Sequence, residues 1–153
     1  MKDIVIGCDN AAVLLKNCII KFLESQGIHV ENAGCDDPSD PTHYPLIAER
    51  VCEKIMESNF QKQGILLCGT GIGMAITANK FPGIRAAVCH DNYSAERSVL
   101  SNNCNVLCLG ARVIGPQLAL TIVREWIGLE FDASSPSGEK VADILKIEAE
   151  TMH

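Results

Sequence analysis

The chain has 153 residues, 47% of them hydrophobic, which is enough for one real core and too little for a separate second domain, so residues 1–153 are expected to fold as one unit. A formal charge of −6 with no Lys/Arg cluster argues against nucleic acid or an anionic membrane as partner, and leaves room for a small anion held by local dipoles. The eight cysteines show no CxxC pair and no Cys/His spacing suited to zinc, no signal sequence precedes the first strand, and no apolar stretch approaches membrane-spanning length; the expectation is a cytoplasmic protein with reduced thiols and no metal.

Ile4, Val5 and Ile6 form a first apolar strand that stops at Gly7-Cys8-Asp9-Asn10. Val13, Leu14, Leu15, Cys18, Ile19, Ile20, Phe22 and Leu23 follow with helical periodicity, and Gly27 ends that helix. Residues 28–33 form a second strand, 34–41 a polar loop rich in aspartate and proline, and Pro45 to Ser58 a second helix. The apolar run Ile65-Leu66-Leu67 ends abruptly at Cys68 and a turn with glycines at 69, 71 and 73. Met74, Ala75, Ile76 and Ala78 then point to a helix closed by Phe81-Pro82-Gly83. Ile84 to Cys89 is a fourth strand, Asn92 to Leu100 a short helix, Asn105 to Leu109 a fifth strand, and Gly115-Pro116 opens a helix that runs to Ile127. After a loop at 130–138, residues 139–152 form a charged amphipathic helix of the kind that packs across a partner subunit.

Five short apolar strands alternating with helices predict an α/β architecture of three layers: a five-stranded parallel sheet with helices on both faces. Ligands of such sheets bind outside the carboxyl ends of the strands. That rule collects Asp9 and Asn10, Cys68 with its glycines, Asp91 and Arg112 on one rim. Glycines 69, 71 and 73 let bare N–H groups approach an anion, and the helix behind them adds its positive end. A thiol at the mouth of such a nest is a candidate base or nucleophile. Each member also has a plainer role: Cys68 as a buried packing group, Asp9 as a helix cap, Arg112 as a solvated cation, His43 and Tyr44 as loop packing, and His90 as a solvated strand end.

Gly7-Cys8-Asp9, Tyr44-Pro45, Cys68-Gly-Thr-Gly-Ile-Gly73, Ala78-Asn79-Lys80, Gly83-Ile84-Arg85-Ala86, Asn105-Val106-Leu107 and Gly110-Ala111-Arg112 occur together and in this order. With them the chain resembles the type B ribose-5-phosphate isomerase and galactose-6-phosphate isomerase family, from the first strand to about Gly128. The resemblance implies a Rossmann-like sheet, a homodimer or homotetramer with sites at the subunit interface, no cofactor, and interconversion of aldose and ketose phosphates through an enediolate. It makes Cys68 the proton-shuttling base and the N–H groups of Gly69, Gly71 and Gly73 the enediolate cradle. Asp9 and Thr70 then move protons among the substrate oxygens, Asn10, Tyr44 and Asn102 contact substrate, and Arg112 takes the phosphate, with Lys140 as a further cation.

Three departures from the family pattern bear on substrate. Asp9 is followed by Asn10 where the family has histidine, Ser101-Asn102 stands where His-Asn opens the sugar ring, and Ser134-Ser135-Pro136-Ser137 replaces a Gly-Gly-Arg-His segment. A self-sufficient enzyme with these residues is expected to favour an open-chain tetrose or tetrulose phosphate. The alternatives are a B-type subunit of a hetero-oligomeric galactose-6-phosphate isomerase, which shares Thr42-His43-Tyr44-Pro45 and needs a partner, or a non-enzymatic nucleotide- or phosphosugar-binding module. The dinucleotide version fits poorly, because the third glycine comes one residue early and the motif follows the third strand instead of the first.

Overall fold

The computed structural model describes residues 1–152. Strands β1 (Ile4–Cys8), β3 (Gln63–Cys68) and β5 (Val106–Gly110) are buried along their whole length. That is why they are continuous apolar runs without the alternation of a half-exposed strand. Strands β2 (Val30–Asn32) and β4 (Ala86–Val88) are half-exposed and only three residues long. All neighbours pair in parallel, in the order β2-β1-β3-β5-β4. The expected ranges 28–33 and 84–89 were too long for these two because an edge strand has one neighbour to hold its ladder.

Five helices, α1 (Val13–Ser25), α2 (Tyr44–Glu57), α3 (Ile72–Ala78), α4 (Asn92–Leu100) and α5 (Pro116–Ile127), connect or cover the strands, and α6 (Gly138–Thr151) closes the described chain. Helices α2 and α3 pack together on one face, and α5 packs with both α1 and α4 on the other, as the alternating pattern requires. This is the three-layer Rossmann-like α/β fold. The chain leaves β1 toward β2 on one side and returns through β3 to the other, so the crevice between the carboxyl ends of β1 and β3 is the switch point where such folds bind ligands. No helix among the described residues is long and apolar enough to cross a membrane.

Two polar side chains hold the periphery. The Asn79 carboxamide pairs with the outer strand β4 as another strand would, donating to Ala86 O (2.9 Å) and accepting from Ala86 N–H (2.8 Å). Lys16 is fully buried on α1 and donates to Cys35 O (2.6 Å) and to the Asp36 carboxylate, clamping the start of the β2–α2 loop.

Candidate active site

Strand β3 delivers Cys68 to the rim at 6% exposure. The turn that follows folds back over the sulfur, and Gly71 N–H donates to Cys68 Sγ at 3.1 Å, placing a donor where negative charge on sulfur would sit. Gly71 has φ +78°, and a Cβ there would lie 2.9 Å from Leu109 C, so both conformation and space require glycine. Thr70 is exposed at the mouth, its Oγ1 accepting from Ile72 N–H at 3.3 Å. The helix behind the turn, α3, has only seven residues. Its dipole is therefore a minor contributor beside the backbone N–H groups of the turn itself.

The neighbouring strands bring the other rim residues to this turn. Asp9 N–H donates to Leu67 O (3.2 Å), which ties the end of β1 beside Cys68. The Asp9 carboxylate accepts from Ala11 N–H at 3.0 Å, whereas α1 begins at Val13 with Ala12 at its N-cap; Asp9 shapes the approach to the helix and does not cap it. Asn10 is exposed and donates its carboxamide to Asp40 O (3.0 Å), fastening the β2–α2 loop to the rim. That loop ends at Tyr44, the first residue of α2, whose ring lies against Gly73: a Cβ at 73 would sit 2.6 Å from Tyr44 Cζ. From β5, Ala111 N–H donates to Cys68 O (2.9 Å) and Arg112 N–H to Gly69 O (3.0 Å). The Arg112 side chain covers Gly69, with Nη1 3.1 Å from where a Cβ would be, and its guanidinium makes no ion pair or hydrogen bond among the described residues. An unpaired guanidinium beside an N–H nest is an anion site in both charge and shape.

Burial pushes the Cys8, Cys52 and Cys104 thiols up to about 12 and Cys108 well above the usual thiol value, so these remain protonated packing groups. A cavity of about 590 Å³ opens at the amino ends of the strands beside Lys2, Arg85 and Phe131, one of about 420 Å³ lies under α6, and one of about 470 Å³ adjoins Asn10 and Ala111; none of the three reaches Cys68. No group of three or more metal-ligating side chains converges anywhere among the described residues.

The profile of the family described as Ribose/Galactose Isomerase matches residues 4–144. The chain belongs to that family. A protein named D-erythrulose-4-phosphate isomerase 2, from Mycolicibacterium smegmatis, is 48% identical over 147 residues, covering 95% of this chain and 96% of that protein. A D-erythrulose-4-phosphate isomerase from Pectobacterium atrosepticum is 48% identical over 143 residues, covering 92% and 93%. The type B ribose 5-phosphate isomerase structure from Leishmania infantum superposes with a TM-score of 0.91 at 38% identity, over 99% of each chain. The chain is thus an enzyme, a sugar-phosphate isomerase of this family.

Asp9, Asn10, Tyr44, Cys68, Gly69, Thr70, Gly71, Gly73 and Arg112 meet at one rim of this isomerase. Asn102 does not join them within the chain. It precedes β5, whose five residues separate it from the Cys68 end by about 13 Å of strand, and it lines the cavity under α6 instead. Ser101 lies at the same far end, its hydroxyl accepting from Arg97 Nη1 (3.3 Å). Lys140 is exposed near the start of α6 and takes part in no ion pair among the described residues. The two rim imidazoles differ: His43 is exposed at the α2 N-cap with no side-chain cap bond, while His90 Nε2 accepts from Gly110 N–H at 2.9 Å. Neither that bond nor the Lys16 clamp is marked by a local motif, although Lys16 stands on the apolar stripe between Val13 and Ile19, where a lysine must find buried partners.

Proposed function

We propose that this isomerase acts on a four-carbon sugar phosphate, interconverting D-erythrulose 4-phosphate and its aldose, with Cys68 as base. The observation that carries the reading is Ser101, bonded to Arg97, at the position where the family pattern has the histidine that opens cyclic substrates. A hydroxyl has no accessible pKa near neutrality, so it cannot move a ring proton. A tetrulose phosphorylated on its terminal oxygen cannot close a five-membered ring and needs no such step. The printed names of the two relatives at 48% identity agree with this.

In the proposed reaction the Cys68 thiolate removes a proton from C1 of the ketose, and the electron pair moves into the C1–C2 bond as the carbonyl oxygen becomes an enediolate. The free N–H groups of the Gly69–Gly73 turn stabilise that oxygen, an effect worth about 3 kcal/mol per well-placed donor, while Gly71 N–H serves the Cys68 sulfur. Asp9 and Thr70 pass the hydroxyl proton from one oxygen to the other, Cys68 returns its proton to C2, and the aldose results. Asn10 and Tyr44 hold the carbon chain, and Arg112 holds the phosphate. Asn102 and Lys140 reach the substrate from a second copy of the chain, with α6 packed on that copy in a homodimer or homotetramer.

Steady-state comparison of the purified chain on erythrulose 4-phosphate and ribose 5-phosphate tests this. The expected kcat/KM is at least about a hundredfold higher for the tetrulose, the lower end of what a general acid–base group contributes. Ser101→His is expected to raise turnover of ribose 5-phosphate. A higher kcat/KM for ribose 5-phosphate overturns the reading, and its loss in His43→Ala would identify His43 as the substitute imidazole. A pure chain inactive on both sugars until a related subunit is added would instead mark an obligate hetero-oligomer.

A further inference from the structure

The β5 end is the shelf on which the active turn rests. Gly110 pairs with Cys68 in the β3–β5 register, and a Cβ at 110 would lie 2.7 Å from Thr70 C and O. Gly110 O accepts from Val113 N–H (3.0 Å) and Ile114 N–H (3.2 Å), closing the turn that carries Arg112. The remaining polar group of Gly110, its N–H, is directed at no strand; its acceptor is Nε2 of His90, at the end of β4. An imidazole nitrogen that accepts carries no proton, so this bond requires the neutral ring with its proton on Nδ1.

We propose that His90 is a positioning residue, a neutral-imidazole latch whose bond to Gly110 N–H holds the Arg112 turn and the Thr70–Gly71 backbone in register with Cys68. The proposal rests on the reading of this rim as the active site. Protonation converts Nε2 into a donor facing another donor, and the latch opens. Burial is the larger influence on the ring and lowers its pKa below the usual histidine value, with Asp91 opposing. The latch is therefore closed at neutral pH and opens as pH falls through that lowered pKa. Asp91, Cys89 and Cys108 lie around the ring, and Cys68 lies one rung across the ladder from Gly110. The Asp91 carboxylate is engaged by Ser94 N–H (2.7 Å), and burial keeps the neighbouring thiols of Cys89 and, on β5, Cys108 protonated. Arg112 lies beyond the turn, over Gly69.

The test joins a structural readout to a kinetic one in the full chain. The Gly110 amide resonance of the ¹⁵N-labelled protein is followed against pH, and kcat and KM on erythrulose 4-phosphate are measured for wild type, His90→Gln and His90→Leu. Gln presents a carboxamide oxygen near the place of Nε2 and does not titrate. Wild type is expected to show a Gly110 transition below pH 6.5 with a parallel fall in kcat/KM. His90→Gln should lose the Gly110 transition, keep only the part of the acid limb that belongs to the Cys68 base, and stay within about threefold of wild type at pH 7.5, while His90→Leu, which orphans the N–H, should lose about tenfold there through lower kcat and higher KM together. A Gly110 resonance that ignores pH in wild type, or an acid limb unchanged in His90→Gln, overturns the latch. Should His90→Leu not fold, the comparison of wild type with His90→Gln still decides. Because the Gly110 titration needs no turnover, a wrong substrate or a wrong active site leaves it intact, whereas a wrong latch removes it.

Discussion

At the scale of single residues, the proposed reaction rests on one thiol among eight. The others are packing groups or lie away from the rim; Cys68 alone ends a buried strand under a backbone donor, with a free guanidinium across the same turn. Cys68→Ala is expected to abolish exchange of the substrate's C1 and C2 protons with solvent while changing phosphosugar affinity by less than about tenfold, or 1.4 kcal/mol, because the thiol moves a proton and does not hold the phosphate. Retained exchange in the variant, followed by deuterium uptake, would remove Cys68 as base. The placement of Cys68 at a strand end beside the glycine turn was legible in the sequence, since an apolar run ending at a thiol and three alternating glycines is a local pattern. The His90–Gly110 bond was not, because it joins residues on two strands that become neighbours only when β5 inserts between β3 and β4.

At the scale of elements, the central strands were readable because burial on both faces selects uninterrupted apolar runs, and the short edge strands were blurred because little distinguishes their ends from loop. The β2–α2 loop shows what sequence conceals. It looks like a solvated acidic stretch, yet its first residues are clamped by Lys16, its middle by Asn10, and its end by the packing of Tyr44 on Gly73. Lys16 and Asn32 hold the Asp36 carboxyl below the usual carboxylate value, so the clamp is complete above about pH 4 and weakens as pH falls through that lowered pKa. Lys16→Met leaves Cys35 O without its donor and should cost about 1–3 kcal/mol. Asp36→Ala takes its carboxylate, itself 74% exposed, from a buried ammonium and should be the costlier change even after solvent screening is allowed for. Urea midpoints check the order, and the double variant should be more stable than Asp36→Ala alone. If Asp36→Ala proves the milder change, solvent already neutralises Lys16 and the clamp is weak.

At the scale of the whole molecule, one chain carries Cys68 and its glycine turn at one end of its sheet and Asn102 at the other, so the proposed site, which uses both, has to be shared between copies. Exposed Ile72 and Ile76 beside the nest, and Ile144, Leu145 and Ile147 on α6, provide apolar surface for such a contact. Inactive Cys68→Ala chains mixed and reassembled with Asn102→Leu chains should recover roughly a quarter of wild-type turnover, since half the dimers are mixed and each of those holds one intact site. Recovery no greater than the sum of the two homo-oligomers, with subunit exchange confirmed by mass spectrometry, would place Asn102 outside the site. Assembly of this kind also has to avoid the wrong contact, and the carboxamide that Asn79 lays along Ala86 bears on that. The outer rim of an open sheet is a template on which any extended peptide can add itself without limit, and a side chain that imitates the next strand ends the series after one step. Asn79→Ala is therefore expected to leave the catalytic rim intact yet raise light scattering over days at high concentration, as chains begin to polymerise through a rim that the wild-type protein keeps occupied.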